Sequence, residues 1–571
     1  VGTTKDRNDE TLGALSIVSG IPLSEEPGLG ALTLPGFLRE VTTRFAEREA
    51  LVMHGPEGVE RWSYAALWDR SVEVARALVA CGVGKDSRVG VLMTNRPEWI
   101  AGVFGTALAG GVAVTISTFS TAPELDTMLQ ASDVSVLLCE GRVLEKSFVE
   151  MLCDLEPAIR TARPGQLQST RFPFLRHLVA IGPEGGGVIE RWSDFLRRGG
   201  SIPRALVEAR AASVRPSDTA VLFFSSGSTS KPKGILSAHR GVAIQLWRFG
   251  RIYGLEGDIR CWTANGFFWS GNFGMAIGGT CSRGGAIVLQ PTFQAAEALE
   301  LMQAERINFL IAWPHQWPQL EEAPNWNEVD LSSVRYVDRA SPIALHPTVS
   351  TTWREPIWAY GNTETFTIST AFPAGTPEEV IAGSHGEVLP GNTVKIVDPM
   401  TGAVLPRGER GEIAVKGPTL MLGYVGVPLD ETFDAEGFFR TGDGGYLDDS
   451  GRLFWEGRLT DIIKTGGANV SPLEVDAALA TCPGVKVART VGVPHETLGE
   501  MVVACVVPSK DGDLDETSIR KYLKERLASY KVPRRVLYFG EDELSLTGSA
   551  KIKASDLRQL ASERLEAAET G

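Results

Sequence analysis

Between Arg88 and Cys139, short apolar runs alternate with stretches of helical period, and this alternation restricts the fold more than any other feature of the chain. Arg88 to Met93 reads as a strand, Trp99 to Leu108 as a helix, and Val112 to Ile116 as a strand. Pro123 to Ala131 reads as a helix and Val134 to Cys139 as a strand again. Such alternation predicts parallel sheets covered by helices. It resumes with Ala286 to Leu289 extended, Ala295 to Arg306 helical, and Asn308 to Ala312, Val334 to Val337 and Ile357 to Tyr360 extended. Open α/β sheets bind ligands beyond the carboxyl ends of their strands, where Ser225 and Gly361 both fall.

After about residue 385 the texture changes to short strands separated by Gly, Pro and Asp turns, as at Thr393 to Val397 and Glu412 to Val415. The turn-rich GRLTDIIKTGGANV of residues 457–470 then leads into a compact α+β pattern. Its strands are Val485 to Val491 and Met501 to Val507, and its helices Pro472 to Ala480 and Glu516 to Leu527. The expectation is an α/β protein in three parts. Residues 1–35 are an N-terminal extension, and 36–458 a large domain of parallel-rich sheets covered by helices, with a β-rich subdomain. Residues 459–571 form a small mobile α+β domain.

A chain of 571 residues exceeds one ordinary core, which agrees with that division. The 56 Lys plus Arg against 70 Asp plus Glu give a net charge of −14, so no global field draws in nucleic acid or an anionic membrane. An anionic substrate must be held by local donors. Seven scattered cysteines without a CxxC pair argue against structural zinc or a disulfide framework and suit a reducing compartment. With neither a signal-type apolar core near the start nor an integral membrane segment, a cytoplasmic location is expected.

The stretch most suggestive of chemistry is SSGSTSKPKG, Ser225 to Gly234, between the apolar run Ala220 to Phe224 and a helical period through Val242, Ile244 and Leu246. A strand would thus pass to a helix through a small, hydroxyl-rich turn. Small residues let backbone N–H groups approach a polyphosphate, hydroxyls add donors or a magnesium ligand, and Lys231 and Lys233 add charge. The spacing is not that of a Walker loop, and a solvated linker has the same composition.

Seven motifs in order resemble the adenylate-forming enzymes: acyl-CoA synthetases, luciferase-like proteins and peptide-synthetase adenylation domains. They are SSGSTSKPKG, YGNTET at 360–365, GEIAVKGPTLMLGY at 411–424, FRTGD at 439–443, GRLTDIIKTGGANVSPLEVD at 457–476, LASYKVP at 527–533 and LTGSAKIK at 546–553. The likeness runs from about residue 35 and is closest to the acyl-CoA synthetases. It implies ATP, Mg2+ and coenzyme A as cofactors or co-substrates, and a small carboxylic acid as the other partner. Ser225, Ser226, Gly227, Ser228, Thr229, Ser230 and Lys233 would hold the β- and γ-phosphates, with magnesium near Thr229 and Glu364. Tyr360, followed by Gly361, Asn362 and Thr363, would stack on adenine. Asp443 would accept from the ribose, and Arg458 would bind the nucleotide at the domain boundary. Lys551 would reach the α-phosphate during adenylation. For the second half-reaction the small domain would swing about Thr460, presenting Lys464 and lining a pantetheine channel with Gly466 and Gly467.

Each residue taken alone has an ordinary alternative: Glu364 as a helix cap, Asp443 in a turn, Lys551 as a solvated lysine. The chain departs from the family pattern at Ser230, Ala550, Thr460, Asp338-Arg339 and Asn265-Gly266. The segments matching the family's acyl pocket carry Trp269, Phe273, Trp313 and Ala340, with few charges. They suggest an apolar or aromatic monocarboxylic acid, though aromatics in α/β proteins also serve as core. His239 reads as a packing or capping residue, and His315 lies near the pocket segments. The expected activity is ATP-dependent acid–CoA ligation through an acyl-adenylate. Transfer to a carrier protein or an amine and a nucleotide sensor without turnover are the alternatives, and a homodimer is left open.

Overall fold

The computed structural model describes residues 15–182, 187–225, 232–313, 316–356, 358–459, 463–470, 472–509, 515–540 and 554–570. The first sheet has eight strands. Ile189–Arg191, His177–Ile181, Val134–Glu140, Arg88–Leu92, Val112–Thr115 and Thr219–Ser225 (β1) run parallel. Lys233–Ala238 (β2) and Gly423–Tyr424 then close the edge antiparallel. Helix Ala122–Ser132 (α1) packs beside this sheet. It begins at a capping box in which Glu124 Oε2 accepts the N–H and hydroxyl of Thr121 at 2.9 and 3.0 Å.

The antiparallel β2 corrects the expectation of a direct strand-to-helix turn. Ser225 pairs with Lys233, so the glycine- and serine-rich stretch connects two strands, and the helix His239–Ile252 (α2) starts only after β2. β2 was hidden because Lys233-Gly-Ile-Leu-Ser-Ala is short and runs without a break into the helical period behind it.

In the second sheet Phe309–Ile311, Arg260–Thr263 (β3), Ala286–Leu289 and Glu49–Gly55 are parallel, and the hairpin strand Gly58–Ser63 pairs antiparallel with the last. Helices Leu34–Arg44, Tyr64–Ala80, Pro97–Ala109 and α2 share one apolar core that includes Phe37, Leu78, Trp99, Phe104 and Leu246. At about 1.5–3 kcal/mol for each fully buried large side chain, this burial is the main force holding the layers together. Val334 to Val337 contributes only a single bridge, Tyr336 to Phe309.

A three-stranded sheet of Ala359–Tyr360 (β4), Thr370–Ala371 and Glu387–Val388 leads into the β-rich part. There Ile17–Ser19, Thr393–Val397, Gly411–Lys416, Phe439–Leu447 (β5) and Leu453–Arg458 (β6) form an antiparallel sheet. Residues 15–35 are therefore woven into the large lobe. Glu26 also forms an ion pair at 2.8 Å with Arg248 of α2, both side chains being wholly buried. The last sheet starts beyond β6 with Ile463–Thr465 (β7) and Ala468–Val470 (β8). Val485–His495, Gly499–Pro508 and Arg535–Tyr538 complete it, with Pro472–Ala480, Glu516–Lys524 and Ala554–Thr570 as helices. Among the described residues no helix is long and apolar enough to cross a membrane.

His239 opens α2 with 1% of its surface exposed, and its Nδ1 accepts the Leu34 N–H at 3.2 Å. This is the packing role its position suggests. Burial pushes its imidazole down from 6.5 to about 4. As pH falls, the unfolded chain takes up this proton first. The stability is therefore intact above pH 6.5 and is lost between 6.5 and 4, by about 3 kcal/mol in all. Acid-unfolding curves of a His239→Asn variant should be flatter across that window than those of the wild type.

Candidate active site

β1, β3 and β4 end on one side of the large lobe, and each delivers a motif there. β1 ends at Ser225, where the glycine- and serine-rich loop begins; Ser226, Gly227, Ser228, Thr229 and Ser230 lie outside the described residues. The far end of that loop is fixed by Lys233, whose Nζ lies 5.1 Å from the centroid of the Tyr424 ring. The Tyr424 hydroxyl donates to Glu364 Oε1 at 2.7 Å, and the Met421 N–H donates to the Glu364 carbonyl at 2.7 Å. Lys233, Tyr424 and Glu364 thus join the exit of the loop to the YGNTET motif. The sequence reading assigned Tyr424 no role, although it ends a quoted motif, because a tyrosine in that position carries no signature of its own.

β4 ends in Tyr360 and Gly361. Asn362 and Thr365 cap each other: the Asn362 N–H donates to Thr365 Oγ1 and the Thr365 N–H to Asn362 Oδ1, both at 3.0 Å. This fixes the short turn carrying Thr363 and Glu364. Phe366 and Thr367 then take left-handed φ values of 44° and 88°, costly for non-glycine residues and concentrated at functional sites. The Tyr360 hydroxyl donates to Asp443 Oδ2 at 2.8 Å, and the two are 5% and 4% exposed. Asp443 lies in β5 opposite Arg458 of β6, so three residues assigned to the nucleotide share one corner.

β3 feeds the segment that the resemblance assigns to the acyl pocket, called the acyl segment below. Trp269 is half-buried, and its ring lies 5.6 Å from Phe268. Phe273, placed by the resemblance among the acyl-pocket residues, is fully buried between Trp99, Phe223 and Phe366, with centroids 5.8, 6.2 and 6.1 Å away. It braces the segment from within the core. It begins a π-helical stretch, Phe273–Gly278, a distortion found mostly at functional sites. The half-buried Trp313 donates its N–H to Gln316 Oε1 at 2.7 Å. His315 lies outside the described residues. Ala340 is exposed, its N–H capped by Asp338 Oδ1 at 2.7 Å.

The small domain reaches the same region. Gly466 and Gly467, at φ 54° and 80°, form the turn between β7 and β8. A Cβ on Gly467 would lie 2.5 Å from Cδ2 and 2.7 Å from Cζ3 of the Trp313 indole, so the turn rests on the acyl segment. Lys464 sits on Trp455, Nζ 3.0 Å from the ring centroid, and its N–H donates to Glu500 Oε2 at 2.6 Å. Tyr530 packs against Trp269 with centroids 5.7 Å apart. Thr460, Ala550 and Lys551 lie outside the described residues.

Among the described residues no set of three His, Cys, Asp or Glu side chains could hold a metal ion. Magnesium bound through phosphates needs only one or two carboxylates. Glu364 suits that demand: Oε1 is spent on Tyr424, and no hydrogen bond among the described residues engages Oε2.

Residues 38–425 match the AMP-binding enzyme family, and residues 474–551 match the AMP-binding enzyme C-terminal domain. A 3-[(3aS,4S,7aS)-7a-methyl-1,5-dioxo-octahydro-1H-inden-4-yl]propanoyl:CoA ligase of Rhodococcus jostii is 31% identical, with 94% of this chain and 99% of the relative covered. An indoleacetate–CoA ligase of Aromatoleum aromaticum is 30% identical over 87% of this chain and 93% of the relative. Among solved structures, a fatty acyl CoA synthetase of Mycobacterium tuberculosis matches with a TM-score of 0.60 and 25% identity, covering 93% of this chain and 99% of that one. With two thirds of its length matched by one family and both lobes matched in order, the chain belongs to the AMP-binding enzymes, the adenylate-forming superfamily, and sits among the acyl-CoA synthetases.

Proposed function

We propose that the protein is an ATP-dependent carboxylic acid–CoA ligase that works through an acyl-adenylate on an apolar or aromatic monocarboxylic acid. The observation that carries this reading is the chain Lys233, Tyr424, Glu364, which ties the phosphate-type loop to the YGNTET turn beside the Tyr360–Asp443 pair. The aromatic acyl segment supports an apolar acid, as do relatives named for indoleacetate and fatty acyl substrates.

A carboxylate is a poor electrophile and needs a leaving group before a thiol can displace it. In the first step its oxygen attacks the α-phosphate of ATP, and pyrophosphate leaves. Charge accumulates on phosphate oxygens, so fixed cations and dipoles stabilise the transition state. Lys233 and the loop beginning at Ser225 would neutralise the departing β- and γ-phosphates, Tyr360 would stack on adenine, and Asp443 and Arg458 would hold the nucleoside. Lys551 would bind the α-phosphate and the acid. Magnesium, held by Glu364 and Thr229, would supply charge neutralisation on the phosphates.

In the second step the thiol of coenzyme A attacks the acyl carbon and AMP departs. The turn of Gly466 and Gly467 on Trp313 supports this step, since only residues without a side chain can approach that ring so closely, and the family resemblance assigns these glycines to the pantetheine entry. Lys464 would act from the same face. The test is a panel of aliphatic, aryl and amino acids incubated with ATP and with CoA, an amine or a carrier protein, products being identified by mass. Thioester from apolar acids with CoA is expected, and amide as the sole product would overturn the acceptor assignment.

A further inference from the structure

The two lobes meet at a buried ion triad to which the chemistry above gives no role. Lys531, from LASYKVP, donates through Nζ to Glu124 Oε1 at 3.0 Å and to Glu474 Oε1 at 2.8 Å. The three side chains are 4%, 8% and 5% exposed. Glu124 belongs to α1 of the large lobe, whereas Lys531 and Glu474 belong to the small domain. Glu124 Oε1 also takes the Ala528 N–H at 3.0 Å, and the Thr121 hydroxyl shares its one proton between Glu124 Oε2 and the Arg526 carbonyl, 3.2 Å away. One stretch, 526–531, is thus pinned to the start of α1, while its Tyr530 presses on Trp269. Burial alone would lower the Lys531 pKa, but Tyr530, Glu124 and Glu474 beside it outweigh that and hold it above the ordinary lysine value, so the ammonium stays charged.

A buried pair of this kind is costly if one partner is removed and the other remains buried. Here separation strands neither charge. Glu124 keeps the Thr121 N–H and hydroxyl on its second oxygen, and Lys531 keeps Glu474. Each lobe therefore keeps a partner for its own charge, Glu124 through Oε2 and Lys531 through Glu474, and water takes the sites vacated on Glu124 Oε1 and the Ala528 N–H when the lobes part. This suits a contact that must form and break in every catalytic cycle, biasing an equilibrium between two arrangements.

We propose that Glu124 and Lys531 are positioning residues for the thioester-forming half-reaction: their ion pair selects the docked arrangement in which Gly467 rests on Trp313, and adenylation does not require it. The proposal rests on the two-step reading above. The residues touch no reacting atom and act through the placement of the β7–β8 turn.

The test separates the two half-reactions in Lys531→Met and Glu124→Gln, the latter retaining an acceptor for the Thr121 N–H. Acid-dependent pyrophosphate release should stay within about twofold of wild type. Conversion of a supplied acyl-adenylate and CoA to thioester should fall by roughly tenfold or more. Amide exchange at Ala528 should quicken in both variants, and Lys531→Arg should recover part of the thioester rate. Equal loss in both half-reactions, or no loss in either with unchanged exchange at Ala528, would overturn the proposal. Failure of the two-step reading would look different: wild type itself would release no pyrophosphate with any acid. Should Lys531→Met not fold, Glu124→Gln carries the same comparison.

Discussion

Gly361→Ala is expected to lower acyl-adenylate formation by about 100- to 1,000-fold. The added Cβ would lie 2.6 Å from the Ile368 Cα and closer still to the Thr367 carbonyl oxygen, both backbone atoms that cannot swing aside. The loop could yield only by bending further at Phe366 and Thr367, which already hold left-handed conformations. Relief must come from moving Tyr360 on one side or the Asn362–Thr365 capped turn on the other. Either movement displaces Asp443 from Tyr360 or Glu364 from Tyr424. Initial rates of acid-dependent pyrophosphate release measure the loss. Gly200→Ala is the control, since a Cβ there meets nothing within 4 Å.

The second large effect should fall on the other half-reaction. Gly467→Ala places a methyl against the Trp313 indole at a φ of 80°, where alanine pays about 1–2 kcal/mol in backbone strain alone. The turn then cannot rest on the acyl segment. Thioester formation from supplied adenylate should drop by about 100-fold or more, with pyrophosphate release within about twofold of wild type. Lys551→Ala should give the mirror image: acyl-adenylate formation abolished, thioester formation from supplied adenylate spared. Crossed losses of this kind distinguish two lobes serving two steps from a single rigid site, in which both variants would lose both activities. Replacing Trp313 with alanine in the Gly467→Ala background should return part of the thioester rate by removing the obstructing ring.

Strand and helix periods carried most of the fold. Ala286–Leu289, Thr393–Val397 and Pro472–Ala480 lie where their patterns place them, because each is bounded by turn formers and its apolar face is buried. β2 escaped because its residues merge with the helix behind them, and the pairing of Ile17–Ser19 with Thr393–Val397 spans a separation no local pattern can encode. At the site, the family resemblance of their motifs, and no local pattern, pointed to Tyr360, Asp443 and Glu364. Their partners were not legible: Tyr424 reaches Glu364 only through the pairing of Ile235 with Tyr424 at the sheet edge. Phe273 shows the limit of composition as a guide, since an aromatic beside a pocket motif can equally fill the core. Lys531 sat in plain view within a motif, but a buried charge is recognised only by what surrounds it.

The most direct measurement uses an accepted acid labelled with 18O in both carboxylate oxygens, turned over with ATP and CoA. Attack of the carboxylate on the α-phosphate leaves one of those oxygens bridging acyl and AMP, and thiolysis at the acyl carbon leaves it on the nucleotide. The account predicts AMP carrying one 18O per thioester formed. Unlabelled AMP, or the label in inorganic phosphate with ADP as product, would contradict it.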